Sequence, residues 1–387
     1  MENTIYFDNA ATTKLSKAAL DAMLPYLTDG YGNPSTVYSI GRNAKSALEN
    51  ARRIVAKAIG AIPEEIFFTG GGTESDNWAI KSVADLRKNQ GQHIITSKIE
   101  HLAVLNTLKY LEKRGYEVTY LAVDKHGQIS LDEIRNTIRD DTILITIMTA
   151  NNEIGTILPI SEIGKIAREK GVLLHTDAVQ AVGQIPVDVK EMNVDLLSFS
   201  GHKFGGAKGV GALYVKKGLS LPPFQHGGGQ ERGERSGTEN VAGIVSLAAA
   251  LDDKLKHLPL HRVSQIRDRL IDELLKIPRS HLTGDPNNRL PGIASFVFEC
   301  IEGESMLLLL EQYGICASSG SACSSGSLEP SHVLTAVGLT HGRAHGSLRL
   351  SLSEDNTDEE IDYVLEKLPG IIEKLRKISP LWSEAEV

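Results

Sequence analysis

The sequence is poor in cysteine and in long apolar stretches, and each shortage excludes a class of protein. Only 3 cysteines occur among 387 residues, too few for a disulfide framework and short of a four-ligand zinc set. We therefore expect no intrinsic metal, and free thiols in a reducing compartment, the cytoplasm. No apolar run approaches the roughly 18 residues of a membrane span, and residues 1–13 lack the pattern of a signal peptide. We expect no membrane partner.

Basic clusters are also lacking. The formal net charge is -8 at pH 7, which argues against nucleic acid as a partner. The composition, 41% hydrophobic and 23% charged, is typical of a globular chain with a sizeable core. The length predicts two domains rather than one.

Strand and helix patterns alternate from Glu65 to Tyr214, which predicts an α/β domain whose mainly parallel sheet has helices on both faces. After Leu255 the patterns mix as in a smaller α+β domain. We predict a large domain over 15–255. The small domain would comprise 1–14 and 256–387 and carry an exposed, mobile cysteine loop at about 318–330.

Polar residues of different types follow the predicted strands: Thr73, His101, Asn152, Asp177 and Lys203. Ligand sites in parallel sheets lie at the carboxyl ends of the strands, so these residues are site candidates. The glycines before Thr73 offer backbone NH groups to a phosphate, although a tight turn explains them equally well. The segment has neither a GK[ST] ending nor GxGxxG spacing, which disfavours a nucleotide.

Lys203 lies in a glycine-rich turn, SGHKFGGAKGVG, directly after an apolar strand. This position favours a partly desolvated, nucleophilic amine that forms a Schiff base, against the alternative of an ordinary surface cation. Asp177 ends another apolar strand, where a carboxylate is costly without a cation; a helix N-cap is the alternative. His101 is either a structural turn residue or a ring that covers a planar cofactor.

Cys323 differs from the other two cysteines because its neighbours from Ala317 to Ser327 are all serine, glycine or alanine. Such a segment is expected to be exposed. An exposed thiol is a liability unless its thiolate is used, which makes Cys323 a candidate nucleophile.

These residues lie in motifs that together resemble the cysteine desulfurases of the NifS/IscS type, class V aminotransferases with the fold of type I pyridoxal phosphate (PLP) enzymes. The matching segments span most of the chain: DNAATT, YGNPS, TGGGTES, EHLAV, NNEIGT, HTDAVQAVG, SFSGHKFGGAKGVGALYV, GGGQERGERSGTEN and ASSGSACSSGSLEPSHVL.

The resemblance implies a role for each matching residue. Lys203 would bind PLP covalently and transfer protons, Asp177 would keep the ring nitrogen protonated, and His101 would stack on the ring and act in catalysis. Gln180 would contact the phenolic oxygen of PLP, and Asn152 would contact the cofactor as well. The phosphate would be bound by Gly72, Thr73, Ser200 and His202, and by Thr238 of the partner subunit. Asn152 and Arg349 would bind the substrate carboxylate, and Asn33 would lie at the mouth of the site.

The resemblance also implies a homodimer that removes sulfur from L-cysteine, releasing L-alanine and leaving a persulfide on Cys323. The persulfide would pass to an iron-sulfur scaffold or another sulfur acceptor, where Cys323 could transiently ligate a cluster. Two alternatives stay open. One is a selenocysteine lyase or another type I PLP enzyme, which needs no cysteine at position 323, and the other is a sulfur-relay platform without turnover.

Overall fold

The structure, a computed structural model, describes residues 4–320 and 330–382. Cys323, and with it most of the predicted loop at 318–330, lies outside these ranges. The strands are Ile5–Tyr6 (β1), Ile66–Thr69 (β2), His93–Ser97 (β3), Glu117–Leu121 (β4), Thr142–Thr146 (β5), Leu173–Asp177 (β6), Leu196–Ser200 (β7), Gly211–Val215 (β8), Ser280–Leu282 (β9), Ile293–Phe298 (β10), Ile315–Cys316 (β11) and Ser347–Ser351 (β12).

The helices are Lys17–Leu27 (α1), Ser39–Ala58 (α2), Gly72–Arg87 (α3), Leu102–Glu112 (α4), Leu131–Thr137 (α5), Ile160–Lys170 (α6), Val241–Leu255 (α7), His261–Leu274 (α8), Gly303–Gln312 (α9), His332–Ala336 (α10), His341–Ala344 (α11) and Asp358–Ile378 (α12). Short 3₁₀ turns occur at Pro63–Glu65, Gln230–Gly233 and Gly201–Lys203.

The largest sheet has seven strands in the order β2-β8-β7-β6-β5-β3-β4. Neighbours from β7 through β6, β5 and β3 to β4 are parallel, whereas β8 is antiparallel to both of its neighbours. The carboxyl ends of β3, β5, β6 and β7 therefore meet at one edge. This confirms the predicted α/β class with a mainly parallel sheet.

Both faces of this sheet are apolar, and alternate residues of one strand enter different cores. Phe199 of β7 packs with α2, α6 and α7 on one face, while Leu196 of the same strand packs with α3 and α4 on the other. Because side chains alternate across a strand, two apolar faces require helices on both sides. Each fully buried large apolar side chain contributes about 1.5–3 kcal/mol, so the sheet is a rigid base for the residues at its edge.

One helix begins earlier than the sequence pattern indicates. The run of glycines before Asp76 is typical of a loop that precedes the helix, but α3 already includes Gly72 and Thr73. Gly71 precedes it with φ 147°, a conformation that favours glycine. Gly71 is therefore the N-cap and Gly72 the first residue of the helix, so the NH groups of its first turn lie beside the ends of β2 and β7.

A second core forms around the three-stranded sheet β12-β10-β9 and helices α8, α9 and α12. Phe7 of the N-terminal segment packs in this core, and β1 pairs in parallel with β11. The capping box of α12, in which Thr357 and Glu360 bond reciprocally, sets the start of the long C-terminal helix. The domain boundaries given above stay a prediction, which the separation of the two cores supports.

Among the described residues, every helix is too short or too polar to cross a membrane.

Candidate active site

A cavity of about 450 Å³ lies at the carboxyl edge of the large sheet. It brings together most of the residues predicted as site residues: Gly72, Thr73, His101, Asn152, Asp177, Gln180, Ser200, His202, Lys203 and Arg349. Residues as far apart in sequence as Gly72 and Arg349 thus share one cavity, whose volume is in the range of small-molecule sites.

Lys203 ends the 3₁₀ turn that follows β7 and is half-buried. Its Nζ donates hydrogen bonds to the carbonyl oxygens of Ala10 (2.6 Å) and Ala11 (2.9 Å). The N-terminal segment is itself bound to this turn, because Thr13 donates to the His202 carbonyl and accepts from the Gly205 NH. The amine is therefore enclosed by the chain rather than solvated at the surface.

Asp177, the last residue of β6, is 5% exposed. Its Oδ1 accepts the NH of Val179 at 2.9 Å, but the following segment is a turn and not a helix, so the alternative role as a helix N-cap is wrong. Burial raises the pKa of Asp177, while the neighbouring His101 and Lys203 oppose the shift. The carboxyl group is thus placed to accept a cationic partner in the cavity.

His101 is a turn residue that also lines the cavity, and its stacking on a cofactor stays a prediction. It is the N-cap of α4, where its Nδ1 accepts the NH of Ala103 at 3.1 Å, and its ring lines the cavity. Because Nδ1 accepts, the neutral ring has its proton on Nε2. Burial, aided by the charge of Lys203, lowers the pKa of His101, whereas Asp177 raises it. The cap fixes the ring's orientation.

The N-terminus of α3 forms one end of the cavity. A Cβ at Gly72 would lie 2.5 Å from Cγ2 of Val179, so this wall admits only glycine without a shift of Val179. Thr73 and Ser200 add hydroxyl groups, and His202 adds a ring whose Nδ1 lies 3.1 Å from Oγ1 of Thr12. Burial and two lysine charges lower the pKa of His202 to about 4. The set of donors suits a phosphate.

Arg349 of β12 also lines the cavity and is 3% exposed. Its Nη2 pairs with Oδ1 of Asp8 at 2.8 Å, and its Nη1 donates to the backbone carbonyl of Asn152 at 2.8 Å. Its buried Nε has no hydrogen-bond partner among residues 4–320 and 330–382. The guanidinium is therefore held in place, with Nε–H among the donors left to bind an anion.

Two predicted residues are not part of this cavity. Asn33 is exposed, and its Oδ1 accepts the NH of Ser35 within its own turn. Thr238 is also exposed and does not line the cavity of its own chain. The expectation that Thr238 reaches a partner subunit stays a prediction, as does the role of Asn33.

The structure adds cavity residues that we did not predict, chiefly Asp8, Ala10, Ala11 and Asp76. Asp76 follows Thr73 by three residues on α3, so helical spacing could have placed both on one face. The carbonyls of Ala10 and Ala11 left no signal, because any residue type supplies a carbonyl.

Comparison with known proteins identifies the class to which this fold and cavity belong. The model of the class-V aminotransferase family matches residues 5–364. The chain is 58% identical to "Cysteine desulfurase IscS" of Methanosarcina thermophila over 379 residues, 97% of this chain and 94% of the relative.

Two solved structures are also similar. A "NIFS-LIKE PROTEIN" superposes with a TM-score of 0.91 at 41% identity, covering 96% of this chain and 100% of the other. "SspA in complex with cysteine" has a TM-score of 0.81 at 40% identity, covering 90% and 99%. The chain therefore belongs to the cysteine desulfurases of the class-V aminotransferase family.

Proposed function

We propose that the protein is a PLP-dependent cysteine desulfurase that converts L-cysteine into L-alanine and transfers the sulfur to Cys323. The observation that carries the proposal is that Lys203, His101 and Asp177 line the same cavity as the N-terminus of α3 and the buried Arg349. PLP requires an amine for covalent attachment and a carboxyl group at its ring nitrogen, and Lys203 and Asp177 supply these groups while His101 supplies a ring to stack on the cofactor.

The described residues fit the cofactor on three counts. The first-turn NH groups of the 16-residue helix α3, with Thr73 and Ser200, would hold the phosphate. Asp177 would hold the ring nitrogen, with His101 against the ring and Gln180 near the phenolic oxygen. The Nε2 group of Gln180 already donates to the Ala10 carbonyl at 2.9 Å, which leaves its remaining groups for a ligand.

Bound PLP would supply an electron sink that makes carbon–sulfur cleavage feasible. The residues of the chain bind the substrate and transfer the protons. Arg349 binds the substrate carboxylate through Nε, aided by Asn152, because Asp8 and the Asn152 carbonyl already orient the guanidinium. The Nζ of Lys203 takes the proton from the substrate's Cα and returns protons to the product. The ring of His101, with its proton on Nε2, is the second proton carrier.

Cys323 completes the reaction in this proposal. Its thiolate attacks Sγ of L-cysteine, the bond from Sγ to the substrate's Cβ breaks, and protonation of that carbon yields alanine. The products are alanine and a persulfide on Cys323, so atoms and electrons balance without an external oxidant. A reduced thiol is needed, which is why the proposal places the enzyme in a reducing compartment, the cytoplasm.

Three measurements test the proposal. The purified protein should absorb as a PLP enzyme, produce alanine from L-cysteine, and carry one labelled sulfur on Cys323. Lys203→Ala should abolish the absorption band, and Cys323→Ala should abolish the labelled sulfur and alanine formation. Full alanine production by Cys323→Ala would favour the lyase alternative. A wild type that cannot be loaded with PLP would favour the relay platform.

The proposal includes a homodimer and a sulfur acceptor. The exposed position of Thr238 and the exposed stripe Leu20, Leu24 and Leu27 on α1 support association. Light scattering should give twice the chain mass of 42.0 kDa. Transfer of labelled sulfur, compared between an iron-sulfur scaffold and a tRNA-thiolation enzyme, would identify the acceptor.

A further inference from the structure

A second carboxyl group lies buried beside Asp177. Asp76, on α3, is 1% exposed, and one of its carboxyl oxygens lies within 4.8 Å of a carboxyl oxygen of Asp177 and of a ring nitrogen of His101. Both carboxyl groups line the cavity. Ionising both of these buried carboxyl groups would place two negative charges close together without water to screen them, at a high cost in free energy. The pair therefore retains one proton.

The surroundings of the two groups differ, and the difference decides which of them holds the proton. Asp177 accepts a backbone NH and lies near His101 and Lys203, which favour its ionised form. Asp76 has an oxygen, Oδ1, without a hydrogen-bond partner in the described part of the chain. An ionised Asp76 would place negative charge on this unpartnered, buried oxygen, whereas a neutral carboxylic acid would not.

The remaining groups that face Asp76 do not neutralise it. His175 of β6 is fully buried, and its Nε2 lies 3.6 Å from Oδ1, too far for a hydrogen bond. The Thr146 hydroxyl lies 2.8 Å from Nδ1 and the Ser198 hydroxyl 2.9 Å from Nε2, and burial lowers the pKa of His175 to about 3, so this ring is neutral. Glu100 adds a further acidic group nearby.

The direction of the Asp76 pKa agrees with this geometry. Burial raises it well above the usual range, and the charge of Asp177 raises it further. The neighbouring Ser198 hydroxyl lowers the pKa of Asp76 and so opposes the shift only in part. If neutral His175 has its proton on Nε2, it donates this proton to the Ser198 oxygen. The hydroxyl proton of Ser198 can then point to Asp76.

We propose that Asp76 is a positioning residue that holds the proton shared by the two buried carboxyl groups and thereby keeps Asp177 as the carboxylate that faces the cofactor ring. The inference deepens the proposed function and rests on it for the role of Asp177. A neutral Asp76 removes a repulsive charge from beside Asp177 without removing the carboxylate that the ring nitrogen needs.

The experiment begins with the cofactor-free protein, so that it does not depend on the proposed activity. Infrared spectra at neutral pH should show the C=O stretch of a protonated carboxyl group that Asp76→Asn abolishes and Asp177→Asn retains. Glu100→Gln and Glu153→Gln serve to assign the bands of two further buried acids, because burial also raises the pKa of Glu100 to about 8 and that of Glu153 to about 7. Loss of the band in Asp177→Asn with retention in Asp76→Asn, or no protonated band at all, would overturn the proposal.

The second arm measures PLP affinity by absorbance. Because Asp76→Asn mimics a neutral carboxyl group, it should change the dissociation constant by less than about threefold, whereas Asp177→Asn should weaken it by about tenfold or more, the equivalent of one pKa unit. Asp76→Ala provides a second variant in case the amide disturbs folding, and should also bind PLP. Equal losses in all three variants would contradict the assignment. A wild type that never binds PLP would refute the proposed function but leave the infrared result standing.

Discussion

Glu153, in the NNEIGT turn beside the active site, tests how strongly burial shifts the pKa of a carboxyl group, because burial raises this pKa while a nearby positive charge lowers it. Its side chain is 7% exposed and accepts a hydrogen bond from the Ser331 hydroxyl, which caps α10. Burial raises the pKa of Glu153 to about 7, although Ser331 and the charge of Arg349 lower it. The folded protein therefore prefers the protonated carboxyl group, and we predict that Glu153→Gln, its neutral mimic, stabilises the fold at alkaline pH.

The sign and size follow from linkage. The pKa rises from 4.5 to about 7 on folding, so stability from this group is fully present below about pH 4.5 and is lost as pH rises through 7. At about 1.36 kcal/mol per pKa unit, ionised Glu153 costs on the order of 3 kcal/mol at pH 8. With an unfolding entropy of about 2.1 cal/mol/K per residue over 387 residues, Glu153→Gln should raise Tm at pH 8 by about 4 °C.

The assay is thermal unfolding of the cofactor-free protein at fixed concentration, because PLP binding and association also shift Tm. The gain should disappear near pH 5, where wild type is protonated as well. Glu299→Gln is the matched control of opposite sign: Arg279, His281 and Arg343 surround this buried glutamate and lower its pKa. That variant should be less stable at pH 8. A Glu153→Gln variant with the wild-type pH slope would refute the reasoning.

Three further predictions follow from single contacts. Arg349→Lys should raise the KM for L-cysteine by about 10- to 100-fold with a smaller effect on kcat, because a charge-assisted bond of about 1.5–3 kcal/mol is lost. Gly72→Ala should weaken PLP binding in absorbance titrations, since its Cβ would lie 2.5 Å from Val179, and Val179→Ala should restore it in the double variant. Glu231→Gln should destabilise the protein by about 3–5 kcal/mol in chemical unfolding, because Arg52, paired with Glu231 at 2.7 Å, is left as a buried charge; unchanged stability would contradict this.

Much of the fold could be predicted because local patterns agree with it. Helix α1, Lys17–Leu27, begins directly after Ser16, a residue type that favours the N-cap position, and Ser16 Oγ accepts the NH of Ala19. The start of α3 could not be predicted, because glycines suit both a loop and a helix's first turn. The close approach of β8, where a Cβ at Gly211 would lie 2.7 Å from Cα of Gly71, explains the need for glycine at Gly211 and is a tertiary contact that no local pattern encodes.

The site was predictable in part for the same reason. Asp177 and Lys203 follow buried strands, so their positions at the edge of a parallel sheet follow from the alternation of strand and helix. The ion pair between Asp8 and Arg349 spans residues at opposite ends of the chain. No local pattern encodes such a pair, because it depends on how β12 packs beside the N-terminal segment.

The sequence by itself determined the α/β class, the family, and which side chains are available for chemistry, because hydrophobic periodicity and motif spacing are local properties of the chain. Tertiary structure alone decided which of these groups meet and in what state of charge. In the sequence Asp76 is an ordinary polar residue on a helix. Its burial beside Asp177, with no partner for Oδ1 among the described residues, is what makes it a proton holder. Desolvation and proximity set its pKa, and both arise only when the chain is folded.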